Sequence, residues 1–99
     1  MTTTMKLLML VYSGAEPERV SALLDDHGHG YTEFPDARGA GTTGRREGSR
    51  AWPGSSRMFV SVVPEHAVAA LVSRLRDETG QLPPGERLHV AVLSTDTFF

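Results

Sequence analysis

The sequence predicts an α+β fold in the order βαββαβ, a four-stranded antiparallel sheet with two helices on one face. Three observations predict it. Four short runs have the length and composition of strands, two stretches carry an apolar stripe at helical spacing, and the two kinds alternate as strand, helix, strand, twice over.

Leu7 to Tyr12 is a continuous apolar run of strand length, the pattern of a central strand covered on both faces. Ser13-Gly14 breaks it. Pro17 suits the first turn of a helix, where its missing N–H costs nothing, and Glu16 and Glu18 complement the positive helix end. Val20, Leu23, Leu24 and His27 then make one stripe, and Gly28 is the expected C-cap. Tyr31 to Ala37 is a weaker strand in which Pro35 argues for an edge or bulged position. Arg57 to Val63, "RMFVSVV", is rich in β-branched and aromatic residues. Pro64 and Glu65 open a second helix with the stripe Val68, Leu71, Val72, Leu75, ended at Gly80. Pro83-Pro84-Gly85 is a turn and Leu88 to Leu93 the last strand. Right-handed crossovers turn this order into the ferredoxin-like arrangement. Its second sheet face is apolar too, with Met58, Val60 and Val62 alternating with Phe59 and Val63, so a homo-oligomer is expected.

At 99 residues, 39% hydrophobic and 22% charged, the chain fits one domain spanning 1–99. A net charge of −2 gives no general attraction to nucleic acid or an anionic membrane. The absence of cysteine excludes disulfides, thiolate catalysis and cysteine-based zinc sites. "MTTTMKLLMLVYSG" reads as a strand rather than a signal peptide, and no run approaches the roughly 18 apolar residues of a membrane span. A cytoplasmic protein without membrane insertion is expected.

One segment does not look like a packed domain. Arg38 to Arg57, "RGAGTTGRREGSRAWPGSSR", holds five glycines and five arginines and almost nothing that fills a core. Glycines at Gly39 and Gly41 let backbone N–H groups approach a phosphate, and Arg45, Arg46 or Arg50 can add bidentate contacts. The alternative is a mobile loop whose glycines permit turns and whose arginines keep it soluble. Trp52, the one tryptophan, is either a partner anchor or packing at the loop base. "DDHGHG", Asp25 to Gly30, offers His27 and His29 to zinc, copper or nickel, against the plainer reading of a polar helix end. His66 and His89 are isolated. No serine sits in a recognisable nucleophile elbow, and the paired acids Asp25/Asp26 and Asp77/Glu78 fall on expected solvent faces, so an enzyme is not expected.

This layout resembles the PII nitrogen-regulatory signalling proteins and their PII-like relatives. The likeness is carried by Gly30-Tyr31-Thr32 opening the second strand, Arg38-Gly39-Ala40-Gly41 opening the loop, and "RMFVSVV" with its helix. The family's Gly-x-Thr and Gly-x-Gly are one residue further apart here, which a bulge near Pro35 can absorb. Its second phosphate loop, Thr-Gly-x-x-Gly-Asp-Gly-Lys, is reduced to "TGQLPPGER", with Arg87 in the place of the lysine. No tyrosine stands between Arg38 and Arg57 to match the one modified in some PII loops.

The resemblance implies a homotrimer with effector sites between subunits and a flexible T-loop-like segment, about 39–56, that docks on a target such as a transporter or enzyme. The implied effector is a small anion, for which an adenine nucleotide is one candidate; a divalent metal is another cofactor the chain could take. Thr32, Arg38, Gly39, Gly41, Gly85 and Arg87 would contact it, and Arg45, Arg46, Arg50 and Trp52 would meet the target. The expected fixed base of the segment is Arg38 to Gly41, with Thr42 to Ser56 mobile until something binds. Two alternatives remain: a metal-binding trimer in a CutA-like role, using His27 and His29, or a partner-binding trimer with no small ligand.

Overall fold

The computed structural model describes residues 4–41, 44–46 and 56–99. The elements in chain order are β1 (Met5–Ser13), α1 (Pro17–His27), β2 (Thr32–Ala37), β3 (Gly39–Gly41), β4 (Gly44–Arg46), β5 (Ser56–Pro64), α2 (Glu65–Gln81) and β6 (Arg87–Ser94). The two most apolar runs take the centre of the sheet, where both edges of the backbone find partners. The order is β2-β5-β1-β6, antiparallel throughout. Each helix therefore crosses between strands that skip one neighbour, which gives the ferredoxin-like α+β fold expected from the sequence.

Strand alternation sorts the side chains into two faces. Leu8, Leu10 and Tyr12 of β1, Phe59, Ser61 and Val63 of β5 and Leu88 of β6 point to one face and are buried. The helices supply Val20, Leu23, Leu24, Leu71 and Leu75 to the same core. Each large side chain removed from water there contributes about 2 kcal/mol. Among the described residues the one buried polar side chain, Ser61, is satisfied by donating to the Gly30 carbonyl at 2.6 Å.

Pro17 and Glu65 open their helices as expected, and Gly28, at φ 73°, caps α1 with its N–H on the Asp25 carbonyl. The second helix runs further than expected. Gly80 was read as its end, but α2 continues to Gln81. Thr79 donates its hydroxyl to the Leu75 carbonyl at 3.0 Å, and Leu82 packs against the core, so the helix stays wound past the glycine. Pro83 is the actual stop, because the residue before a proline is forced into extended backbone, and Leu82 has φ −67° and ψ 139°.

Pro35 lies on edge strand β2, and the pairing with β5 shifts by one residue between Phe34 and Ala37. The shift is a β-bulge around Pro35, at the position where the sequence leads one to expect it. Beyond it, β3 and β4 form a two-stranded hairpin pairing Gly39 with Arg46, Ala40 with Arg45 and Gly41 with Gly44. Strand pairing in the segment therefore reaches Arg46. Arg50 and Trp52 lie outside the described residues.

Candidate functional site

The sheet face away from the helices is apolar along most of its length and polar at one end. Leu7, Met9, Val11, Met58, Val60 and Val62 are only half-buried, while Phe34 and Leu93 remain 44% and 41% exposed. At the end where β1 finishes and β5 begins, the register places four residues in a row across all strands. Ala37 pairs with Ser56, the Ser56 and Ser13 hydroxyls lie 2.6 Å apart, and Ser13 pairs with Arg87. His89 stands one step in, opposite Val11, and is exposed.

Ala37 runs directly into exposed Arg38 and the glycines of β3. The candidate ligand residues thus fall into two groups at the same end of the sheet. Arg38, Gly39 and Gly41 leave from edge strand β2, while Arg87 opens the opposite edge, β6, and Gly85 lies in the turn just before it. Three strand spacings, about 14 Å, separate those edges. One chain therefore does not bring both groups onto one small ligand. Thr32 faces the same side but pairs with Val60, four residues along β5 from Ser56, roughly 13 Å away.

Pro83 to Glu86 is built as a tight turn. The Glu86 N–H donates to the Pro83 carbonyl at 3.1 Å, Pro84 occupies the second position and Gly85, at φ 88°, the third. That is the residue pattern of a type II turn, in which only glycine takes the third position without strain. Tyr12 meets the turn from below. Its hydroxyl donates to Glu86 Oε1 at 2.9 Å and accepts the Glu16 backbone N–H at 2.9 Å. Burial is the main cause that pushes the Tyr12 phenol up to about 12, so it stays a proton donor across the physiological range. Gly14 passes so close that a methyl group there would overlap both Glu86 Oε1 and the Tyr12 hydroxyl.

Beside this contact a shallow cleft is lined by Glu16, Arg19, Glu78 and Leu82 among others. Arg19 bridges its two sides, 3.1 Å from Glu78 and 3.9 Å from Glu16, tying the start of α1 to the end of α2. On the far edge of the sheet Arg57 holds Glu33 at 3.0 Å. The guanidinium of Arg57 is therefore committed to the strand pair and not to the row formed by its neighbour Ser56.

The metal reading gains no support from the described residues. No group of three or more His, Asp or Glu side chains converges among them, and Asp26 is engaged by Arg74. His27 and His29 stand on either side of the left-handed Gly28, and no third ligand joins them among the described residues. Arg45 and Arg46 occupy β4, within the hairpin. Among the described residues no helix is long and apolar enough to cross a membrane.

Ser13, Ser56, Tyr12, Glu86 and His89 were not singled out as site residues by sequence reasoning. Only His89 had a readable signal, since it alternates with Arg87 on one strand. The serine row depends on the register between strands 43 residues apart.

No protein-family model and no curated protein matches the sequence. Solved structures do match. One is CPII from Thiomonas intermedia, a nitrogen regulatory PII-like protein bound to ADP, AMP and bicarbonate. It has a TM-score of 0.67 and 25% identity, over 95% of this chain and 90% of CPII. Another is a protein assigned to PII-like signalling from Thermus thermophilus, with TM-score 0.66 and 26% identity over 94% of this chain and 88% of that one. A Pediococcus pentosaceus protein of unknown function shares the fold at TM-score 0.70 and 15% identity, over 99% of this chain and 98% of that one.

Proposed function

This chain is a divergent member of the PII-like family, and from that premise we propose that it is a cytoplasmic regulator, not an enzyme, that binds an adenine nucleotide between subunits of a homotrimer. The observation that carries the reading is the division of the candidate ligand residues between opposite edges of one sheet. Arg38, Gly39 and Gly41 on one copy meet Gly85 and Arg87 on the next when the copies join around the half-buried sheet face. Such head-to-tail contacts repeat identically from copy to copy, and a rotation of a third of a turn closes them into a ring of three. The apolar residues of that face give the association its driving force.

The distance of roughly 13 Å along the face between Thr32 and the Ser56 row favours an extended ligand over a simple ion. A nucleotide has an uncharged flat end for the Thr32 side and an anionic end for backbone N–H groups and arginines. CPII, with ADP, AMP and bicarbonate, is the natural guide to probes. The segment of about 39–56, including Arg45, Arg46, Arg50 and Trp52, is the part presented to a target protein. Many glycines make ordering it costly, so ligand contacts at its base decide its state.

Calorimetry with ADP, AMP and ATP, alongside light scattering of the same sample, tests the reading. We expect a trimer, saturable binding of at least one nucleotide, and loss of at least tenfold in affinity on Arg87→Ala, as removal of a charge-assisted contact gives. A trimer that binds none of the three at millimolar concentration overturns the nucleotide reading and leaves partner binding alone. A monomer at micromolar concentration overturns the assembly on which the site depends.

A further inference from the structure

We propose that Tyr12 is a positioning residue for the ligand-binding turn, acting as a latch that holds Glu86 and so presents Gly85 and Arg87 in one fixed arrangement. This rests on the reading of that turn as part of the effector site. The turn is gripped on two sides. Leu82, just before it, packs against the hydrophobic core, and Glu86, at its end, accepts the Tyr12 hydroxyl. Between them the turn closes on itself through the Glu86 N–H and the Pro83 carbonyl. Arg87 then enters β6 opposite Ser13, one residue after Tyr12 in β1.

The chain spends several specific features on this contact. Tyr12 is 3% exposed and belongs to the hydrophobic core, so its ring is held there while its oxygen meets Glu86. That oxygen also accepts the Glu16 N–H, which fixes its remaining donor direction toward Glu86. Gly14 leaves no side chain in the space where phenol and carboxylate meet. A carboxylate acceptor makes the bond a charge-assisted one, stronger than a neutral pair. The phenol holds Glu86 on the helix side of the sheet, while the next residue, Arg87, pairs with Ser13 and so points to the other face. A turn fixed before binding loses less entropy when a ligand docks.

The test uses the full chain and two readouts. Hydrogen exchange of the ligand-free protein reads the latch directly. Tyr12→Phe is expected to speed exchange across Gly85 to Arg87 about tenfold, the weight of one such hydrogen bond. The β1 and β5 amides are expected to keep their rates, which separates a loosened turn from general destabilisation. Unchanged exchange in the turn overturns the proposal whether or not any nucleotide binds.

ADP affinity is the second readout. Tyr12→Phe and Glu86→Ala are each expected to weaken ADP binding several-fold, about 3- to 10-fold, while Glu86→Gln, which still accepts the phenol, stays within about twofold of the parent. Parent-like affinity in both Tyr12→Phe and Glu86→Ala overturns the proposal. If the parent protein binds no ADP, the nucleotide reading fails, and the exchange result still decides the latch.

Discussion

The two faces of this sheet are made by the same strands and do opposite work. On one face, Leu8, Leu10, Phe59 and Val63 are completely buried beneath the chain's own helices. On the other, Leu7, Met9, Val60 and Val62 alternate with them, equally apolar, yet they are only half-buried among the described residues. The first face holds the chain together. On the proposed reading the second meets other copies, and its polar end, from Ala37 through the two serines to Arg87, is where the ligand sits between them. A small domain that cannot bury both faces of its sheet alone gains by associating.

Substitutions on the two faces should therefore separate folding from assembly. The largest effect belongs to the covered face. Phe59→Ala, at a fully buried site, is expected to cost about 3–5 kcal/mol in urea denaturation, enough to threaten folding. Val60→Asp, its neighbour on the other face, is expected to leave far-UV circular dichroism intact while light scattering reports monomers. If Val60→Asp unfolds the chain as Phe59→Ala does, the distinction between the faces fails.

An intermediate effect is expected where the covered core meets the ligand-binding end. Gly14→Ala must push aside Tyr12 or Glu86, and overpacking of this kind costs on the order of 2 kcal/mol, readable as a lower Tm. The smallest effect at neutral pH concerns Tyr12 ionisation. Its phenol is raised from the ordinary 10.0 to about 12 in the folded chain, so its contribution is present in full below pH 10 and fades as pH climbs through 12. Alkaline denaturation of the parent should show this loss, and Tyr12→Phe should remove that part of the pH dependence. Identical alkaline profiles for both would place the phenol's environment closer to water than its burial implies.

Much of the fold was legible because it rests on period and punctuation. Alternation in "RMFVSVV", stripes at helical spacing and prolines at the helix starts are local signals, and the structure follows them. Gly80 misled because glycine weakens a helix without ending one, and the packing of Leu82 on the core outweighed that preference. The β3–β4 hairpin was missed since Gly39 to Arg46 has no apolar alternation to mark it as strand. For the site, the arginines and glycines were visible as types, but their division between opposite sheet edges was not. That division follows from strand order, and the Tyr12–Glu86 contact spans 74 residues. Neither long-range pairing nor order across the sheet leaves a mark in a local window.

The claim that the two edges of different copies make one site is tested most directly by mixing. Arg38→Ala and Arg87→Ala proteins, each expected to bind ADP poorly, are unfolded together in equal amounts, refolded and titrated with ADP. A site shared between neighbours regains both arginines whenever a copy that keeps Arg38 sits beside one that keeps Arg87, so about a quarter of the sites should recover parent-like affinity. A mixture that binds no better than either parent variant would contradict the shared site.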